Sequence, residues 1–291
     1  MDFYGNLSKK SQAGIAFTLT VFLMCFFSFI GQALLLSFCQ TTDLVFVLIN
    51  GLFSPLAILT VIIIDCRANK NTFKNQLSIN KFNGLFVLCS LLLSSGMFLG
   101  LGFLNELVAK LLISWGLKVS AFNYNVTTIG EYLSLVLVYA ILPSVFEEFL
   151  FRGEVLGKLS ETSTIVSVVL SGLVFSLYHC SFAQTVYQFI YGVALAILVI
   201  KSKSILPAVL SHFLNNLMIL TFNYLKINID LFNPYLIIVG IALLCAFCVI
   251  ICCINKKEVK NNGKFPFEFL GWASLGLAVC ILTAGLGAIY G

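Results

Sequence analysis

The chain has 291 residues, of which 60% are hydrophobic and only 10% charged, and its mean hydropathy is +1.03. A water-soluble domain of this size needs more polar side chains to cover its surface, so the composition excludes one and predicts an all-α, polytopic integral membrane protein. The net charge of +5 then bears on topology rather than on nucleic acid, which is not expected as a partner; the lipid bilayer is.

A spanning helix needs about 20 mostly apolar residues. By that measure the chain predicts nine transmembrane helices, at 14–38, 44–64, 83–105, 130–157, 164–181, 184–200, 205–225, 234–254 and 267–289, with eight as the alternative count. The first run is too long for the apolar core of a cleaved signal peptide and reads as a retained helix. The third merges into Asn105 to Trp115, which carries Glu106 and Lys110 and reads as an interfacial segment. No internal repeat and no Pro-rich or Gly/Ser-rich linker divides the chain. The expectation is a single helical bundle with a central intramembrane cavity, in which 1–128 and 226–291 flank a core unit at 129–225.

Basic residues give an independent test of that count. With the N-terminus inside, fourteen of the 17 Lys and Arg residues fall on the inner side and only Lys110, Lys118 and Lys226 on the outer, which predicts a cytoplasmic N-terminus for a multi-pass cell-membrane protein. Most of the ten cysteines, Cys25, Cys89, Cys180, Cys245, Cys248 and Cys280 among them, lie inside apolar runs and read as small hydrophobes. Cys252 and Cys253 adjoin Lys256 and Lys257 at a membrane boundary, and no C-x-x-C pairs appear at zinc-site spacing.

The fourth helix carries FEEFLFRG, residues 146–153. Charge at the bilayer centre costs roughly 2.5 to 3.5 kcal/mol per group on insertion scales, so Glu147, Glu148 and Arg152 constitute a functional hypothesis. Glu148 and Arg152 are four apart and can pair along one helix face, whereas Glu147 is rotated about 100° around the axis. The expectation is that Arg152 neutralises Glu148 and leaves Glu147 to face a cavity, with the opposite assignment as the alternative. The chain's two histidines follow nearby. His179 ends the run VVLSGLVFSLYH, and His212 shares a helix face with Asn216 in HFLNN.

Singly, each residue has a plainer explanation: a hydrogen-bonded helix-end histidine, an asparagine that glues helices together, packing aromatics at Phe175 and Tyr178. Their conjunction on three helices within a third of the chain is what points to a site. One piece of arithmetic does not close. Measured from the inner face, His212 lies at about 10 Å, Glu147 at about 16 Å and His179 at about 24 Å, which requires a deeper start for the fifth helix or a bend at Pro143.

EEFLFRG, FSLYH and HFLNN, in that order, resemble the Glu-Glu-x-x-x-Arg, Phe-x-x-x-His and His-x-x-x-Asn motifs of the CPBP intramembrane endopeptidases, which include type II CAAX prenyl endopeptidases and bacteriocin-processing or immunity (Abi) proteins. The resemblance covers about residues 130 to 222. It implies that Glu147 is the general base on water, assisted by His179, that His212 and Asn216 stabilise the oxyanion, and that Glu148 and Arg152 support the site. It implies no cofactor. One carboxylate with two imidazoles is also a metal-ligand set, so zinc on Glu147, His179 and His212 is the alternative. The expected partner is a membrane-anchored peptide or protein: a prenylated CAAX tail, a leader or a bacteriocin-type peptide. The expected cavity opens toward the cytoplasm. The rival readings are a non-catalytic immunity or binding protein on the same fold, and a proton-coupled transporter.

Overall fold

The structure, a computed structural model, describes residues 2–119, 124–254 and 263–290, and all its regular elements there are helical. In chain order these are α1 (Lys9–Leu35), α2 (Leu44–Ala68), α3 (Leu85–Leu101), α4 (Phe103–Ser114), α5 (Ile129–Leu156), α6 (Thr164–Tyr178), α7 (Thr185–Ser202), α8 (Leu206–Tyr224), α9 (Pro234–Cys253) and α10 (Phe267–Tyr290), with short turns of helix at Asp2–Gly5, Phe73–Gln76 and Phe182–Gln184.

Seven of the nine expected segments are, among the described residues, helices long and apolar enough to cross a membrane. The two that fall short are α6 and α8. Helix α6 has 15 residues, about 22 Å against a hydrocarbon core of about 30 Å. Helix α8 has 19 residues but carries Ser211, His212, Asn215, Asn216 and Asn223, which lower its hydropathy. The α3 helix continues through Gly102, which has helical dihedrals, into α4, so Leu85–Ser114 counts as one span.

Helix α5 departs from regular geometry in two places. Val136–Ile141 and Phe149–Leu156 are π-helical and bracket the α-helical turns Leu142–Glu148 that carry both glutamates. Such bulges re-aim side chains and often occur at functional sites. Pro143 has no N–H to give to the carbonyl four residues back, that of Tyr139. Asn216 Nδ2 reaches that carbonyl at 3.3 Å from α8.

One cluster of buried apolar side chains runs from Phe17 and Ile58 through Leu93, Phe151, Phe175 and Tyr191 to Phe269. The two ends of the bundle differ in charge. At one end Lys9 pairs with Glu161 at 3.4 Å, and Lys158 pairs with Asp65 and, at 2.6 Å, with Glu154. Asp65 also accepts from Tyr4 Oη and Gln76 Nε2, each at 2.6 Å, so a buried polar cluster ties the N-terminal segment to α2 and α5. Breaking a buried pair of this kind by removing one partner costs about 3 to 5 kcal/mol. The same end carries Arg67, Lys70, Lys74, Lys81, Lys201, Lys203 and Lys264, whereas Lys110, Lys118 and Lys226 mark the other. Lys256, Lys257 and Lys260 lie outside the described residues.

Candidate active site

Glu148 is fully buried and anchors the centre. Its Oε1 accepts from Arg152 Nη1 at 2.8 Å and faces His212 Nδ1 at 3.0 Å. The second arm of the guanidinium donates to the Gly192 carbonyl at 2.9 Å, and its carbon lies 4.4 Å from the centroid of Phe175. Phe175 thus forms a plate beneath the centre, edge-on to both imidazoles, with ring centroids 4.9 Å from His179 and 5.7 Å from His212.

The partners of the two rings determine their tautomers. His179 Nδ1 lies 2.9 Å from the Phe175 carbonyl, which can only accept, so Nδ1 carries the proton. His212 Nδ1 faces a carboxylate ion-paired to arginine and carries its proton for the same reason. In the neutral rings both Nε2 atoms are then acceptors, and both point at Glu147: Oε2 lies 3.9 Å from His179 Nε2 and 4.0 Å from His212 Nε2. Glu147 Oε2 is buried and has no hydrogen-bond partner in the protein. Acceptors so placed call for a shared donor, and a water molecule has two hydrogens to give to two of the three.

The depth mismatch disappears once side-chain directions are included. Cβ vectors tilt toward the helix N-terminus. The His179 ring folds back one turn of α6 onto the Phe175 carbonyl, while Glu147, on an oppositely directed helix, leans the other way. Helix α8 also sits higher than helix ends alone indicate. Ser211 pairs with Tyr191 at 3.0 Å and Asn215 with Tyr187 at 2.7 Å, which puts His212 level with a point about 16 Å above the end of α7. Helices α6 and α7 come close enough for this through Gly172 and Gly192. A Cβ on Gly192 would lie 3.0 Å from Gly172 Cα and 3.0 Å from Phe175 Cδ1.

Glu147, His179, His212 and Asn216 line one cavity of about 360 Å³ together with Tyr139, Pro143, Gln184, Gln188, Ile219, Leu220 and Asn223. Its floor is closed by the buried Arg152, Phe175 and Tyr191. From there it runs up the last turns of α8 to the exposed Ile219 and Asn223. That end holds the start of α5, where Tyr132 bonds Thr221 at 2.8 Å, and it lies opposite the Lys9, Lys158 and Lys203 end. The exposed end of the cavity, at Ile219 and Asn223, lies at the end of the bundle opposite Lys9. The physical reason is that the floor is packed with aromatics and a paired arginine, while the helices part where α5 unwinds ahead of Pro143.

Asn216 has two amide hydrogens, of which Tyr139 takes one. Its Oδ1 faces Asn215 Nδ2 at 3.5 Å, and Asn215 is held in turn by Tyr187. Sequence reading missed Asn215 and the cavity-lining Gln184 and Gln188, although two glutamines four apart at the start of an apolar helix were a legible signal. It also missed the Asp65, Glu154 and Lys158 cluster. Ser176 and Cys180 spend their hydrogens on the Thr185 and Tyr178 carbonyls, and Ser211 is hydrogen-bonded to the Tyr191 hydroxyl group. Two imidazole nitrogens and a carboxylate are donors of the right kind for zinc, yet among the described residues no group of three or more His, Cys, Asp or Glu is arranged to hold a metal ion.

Fold and site together define a multi-pass helical membrane protein with a buried carboxylate and imidazole centre at the base of a cavity. Residues 129–218 match the family model described as Rce1-like, type II CAAX prenyl endopeptidase, and this stretch contains every residue of that centre. The resemblance read from the three motifs holds over that domain. No curated protein and no solved structure matches the chain.

Proposed function

We propose that the protein is an intramembrane endopeptidase that hydrolyses a peptide bond in a membrane-anchored peptide or protein. The observation that carries this reading is Glu147 Oε2, buried without a partner and faced by two imidazole Nε2 atoms in a cavity. A water held there donates one hydrogen to Glu147 and the other to His179. As its oxygen attacks the carbonyl carbon, Glu147 takes the proton and later delivers it to the departing amine when the C–N bond breaks; general-base assistance of this kind is worth about 10² to 10⁴ in rate.

The oxyanion receives the second amide hydrogen of Asn216. It also receives Nε2–H of His212 when that ring is an imidazolium, a cation that Glu148 at 3.0 Å supports. Arg152 holds Glu148 in place. The family matched by residues 129–218 favours this chemistry. The test uses proteoliposomes containing the protein and a membrane-peptide extract as substrate source. Glu147→Ala and His179→Ala should each abolish the appearance of cleaved peptides while leaving a monodisperse, folded protein. Cleavage that persists in both variants refutes the proposal, and a protective or immunity activity that survives both favours the non-catalytic reading.

A further inference from the structure

We infer that Gln188 and Asn105 bind the main chain of the peptide in the site and, with Gln184, hold it in extended form beside Glu147. The inference rests on the proposed hydrolysis only in taking the ligand to be a peptide. Asn105 Oδ1 and Gln188 Oε1 are buried acceptors without a hydrogen-bond partner among the described residues. Both residues line a cavity of about 300 Å³ between the α3–α4 junction and the start of α7. Gln184, Gln188 and Ile219 belong to this cavity and also to the central one, which holds Glu147, His179 and His212. The two spaces therefore adjoin, and a chain that occupies the second lies next to the centre.

The donors these acceptors lack are the ones an unwound peptide has to place. A helix satisfies its own backbone, so a membrane-anchored segment that unwinds to present one bond to the centre frees N–H and C=O groups that need partners away from water. A primary amide is the counterpart of a peptide unit, since its carbonyl accepts from N–H and its NH₂ donates to C=O, and either orientation of the amide serves. Spacing supports an extended chain. Gln184 caps α7 with near-helical dihedrals, which places it one turn before Gln188 on the same face, with about 5 to 6 Å between Cβ atoms. Alternate residues of an extended chain repeat at about 6.4 to 6.8 Å, so two flexible glutamines reach successive N–H groups on one edge of it. Asn105 reaches the chain from α4. The other polar groups of this cavity are already engaged: Tyr187 donates to Asn215 at 2.7 Å, and the exposed Glu106 pairs with Lys110 at 3.7 Å. Phe98, Ile219 and Leu231 complete an apolar wall, so the site reads the backbone and tolerates many side chains.

An alanine hexapeptide blocked at both ends is the probe, because it offers main chain and little else. Its lactic acid counterpart, in which an ester oxygen replaces each N–H, is the control. Ile219 is half-exposed at the edge of both cavities, and the readout is the rate at which a maleimide labels Ile219→Cys in the purified protein, mapped by mass spectrometry. The inference predicts that the peptide protects at concentrations at least about tenfold lower than the ester. That preference should shrink by about fivefold to tenfold when Gln188→Leu or Asn105→Leu is added. A merely structural role for the two residues would weaken both probes alike and keep the ratio, which overturns the inference. Equal protection by the two probes with Gln188 and Asn105 in place, or none by either, also overturns it. Cleavage of membrane peptides in proteoliposomes is scored separately. Cleavage that persists in Glu147→Ala refutes the hydrolytic reading while leaving the probe ratio to stand, and a ratio of one beside Glu147-dependent cleavage refutes this inference alone.

Discussion

Glutamine in place of each glutamate should shift stability in opposite directions, although the two residues are adjacent. Glu148 shares one oxygen between Arg152 at 2.8 Å and His212 at 3.0 Å, all three buried. Glu148→Gln leaves the guanidinium as an uncompensated buried cation, which costs about 3 to 5 kcal/mol. Glu147 is the reverse case, since Arg152 pairs with Glu148 and the buried Oε2 of Glu147 faces two further acceptors. Glu147→Gln removes that charge and lets the amide nitrogen donate to an imidazole Nε2, a gain of about 1 to 3 kcal/mol. Titration of the purified protein with SDS in mixed micelles, followed by Trp and Tyr fluorescence, reads both changes as displaced midpoints. Equal destabilisation by both substitutions, or the larger loss at Glu147, would refute the assignment of Arg152 to Glu148.

Further outcomes follow from the same geometry. Asn216→Ala should lower kcat by about 10² to 10³ with little change in KM, because one oxyanion donor is lost; an unchanged kcat in a steady-state cleavage assay would reduce Asn216 to its contact with Tyr139. Gly192→Ala forces a methyl group to within 3.0 Å of Gly172 Cα and Phe175 Cδ1 and should destabilise the protein by about 1 to 3 kcal/mol. Because Phe175 underlies both imidazoles, kcat should fall as well; wild-type stability and rate together would mean that the α6–α7 approach is not needed. Incubation with phenanthroline should leave the rate unchanged, whereas loss restored by added zinc would make Glu147, His179 and His212 a metal site.

Much of the site was legible because helical periodicity and pairing chemistry act locally. A glutamate and an arginine four residues apart in lipid have one another as the nearest partners, and the pair forms. His212 and Asn216 share a helix face, and both reach the cavity. What local patterns do not encode is how far helices slide past each other. The level of His212 is decided by the Tyr187–Asn215 and Tyr191–Ser211 bonds between α7 and α8, and that of His179 by a ring folded back on its own helix. Two of the nine expected spans, α6 and α8, fall short of the length or hydropathy of a spanning helix because their apolar runs are short or interrupted by polar site residues. Hydropathy reports what a segment touches on average, and those two helices touch protein. The direction of the cavity was illegible for a related reason. It depends on where α5 unwinds into π-helix and on which aromatics fill the floor, neither of which leaves a mark on composition.

The central claim is that Glu147 activates water for peptide cleavage, and the most direct measurement compares new peptide termini in the membrane proteome of cells carrying either the wild-type chain or Glu147→Gln at equal abundance. The account predicts a set of termini present with the wild type and absent with the variant. An identical set in both would contradict it.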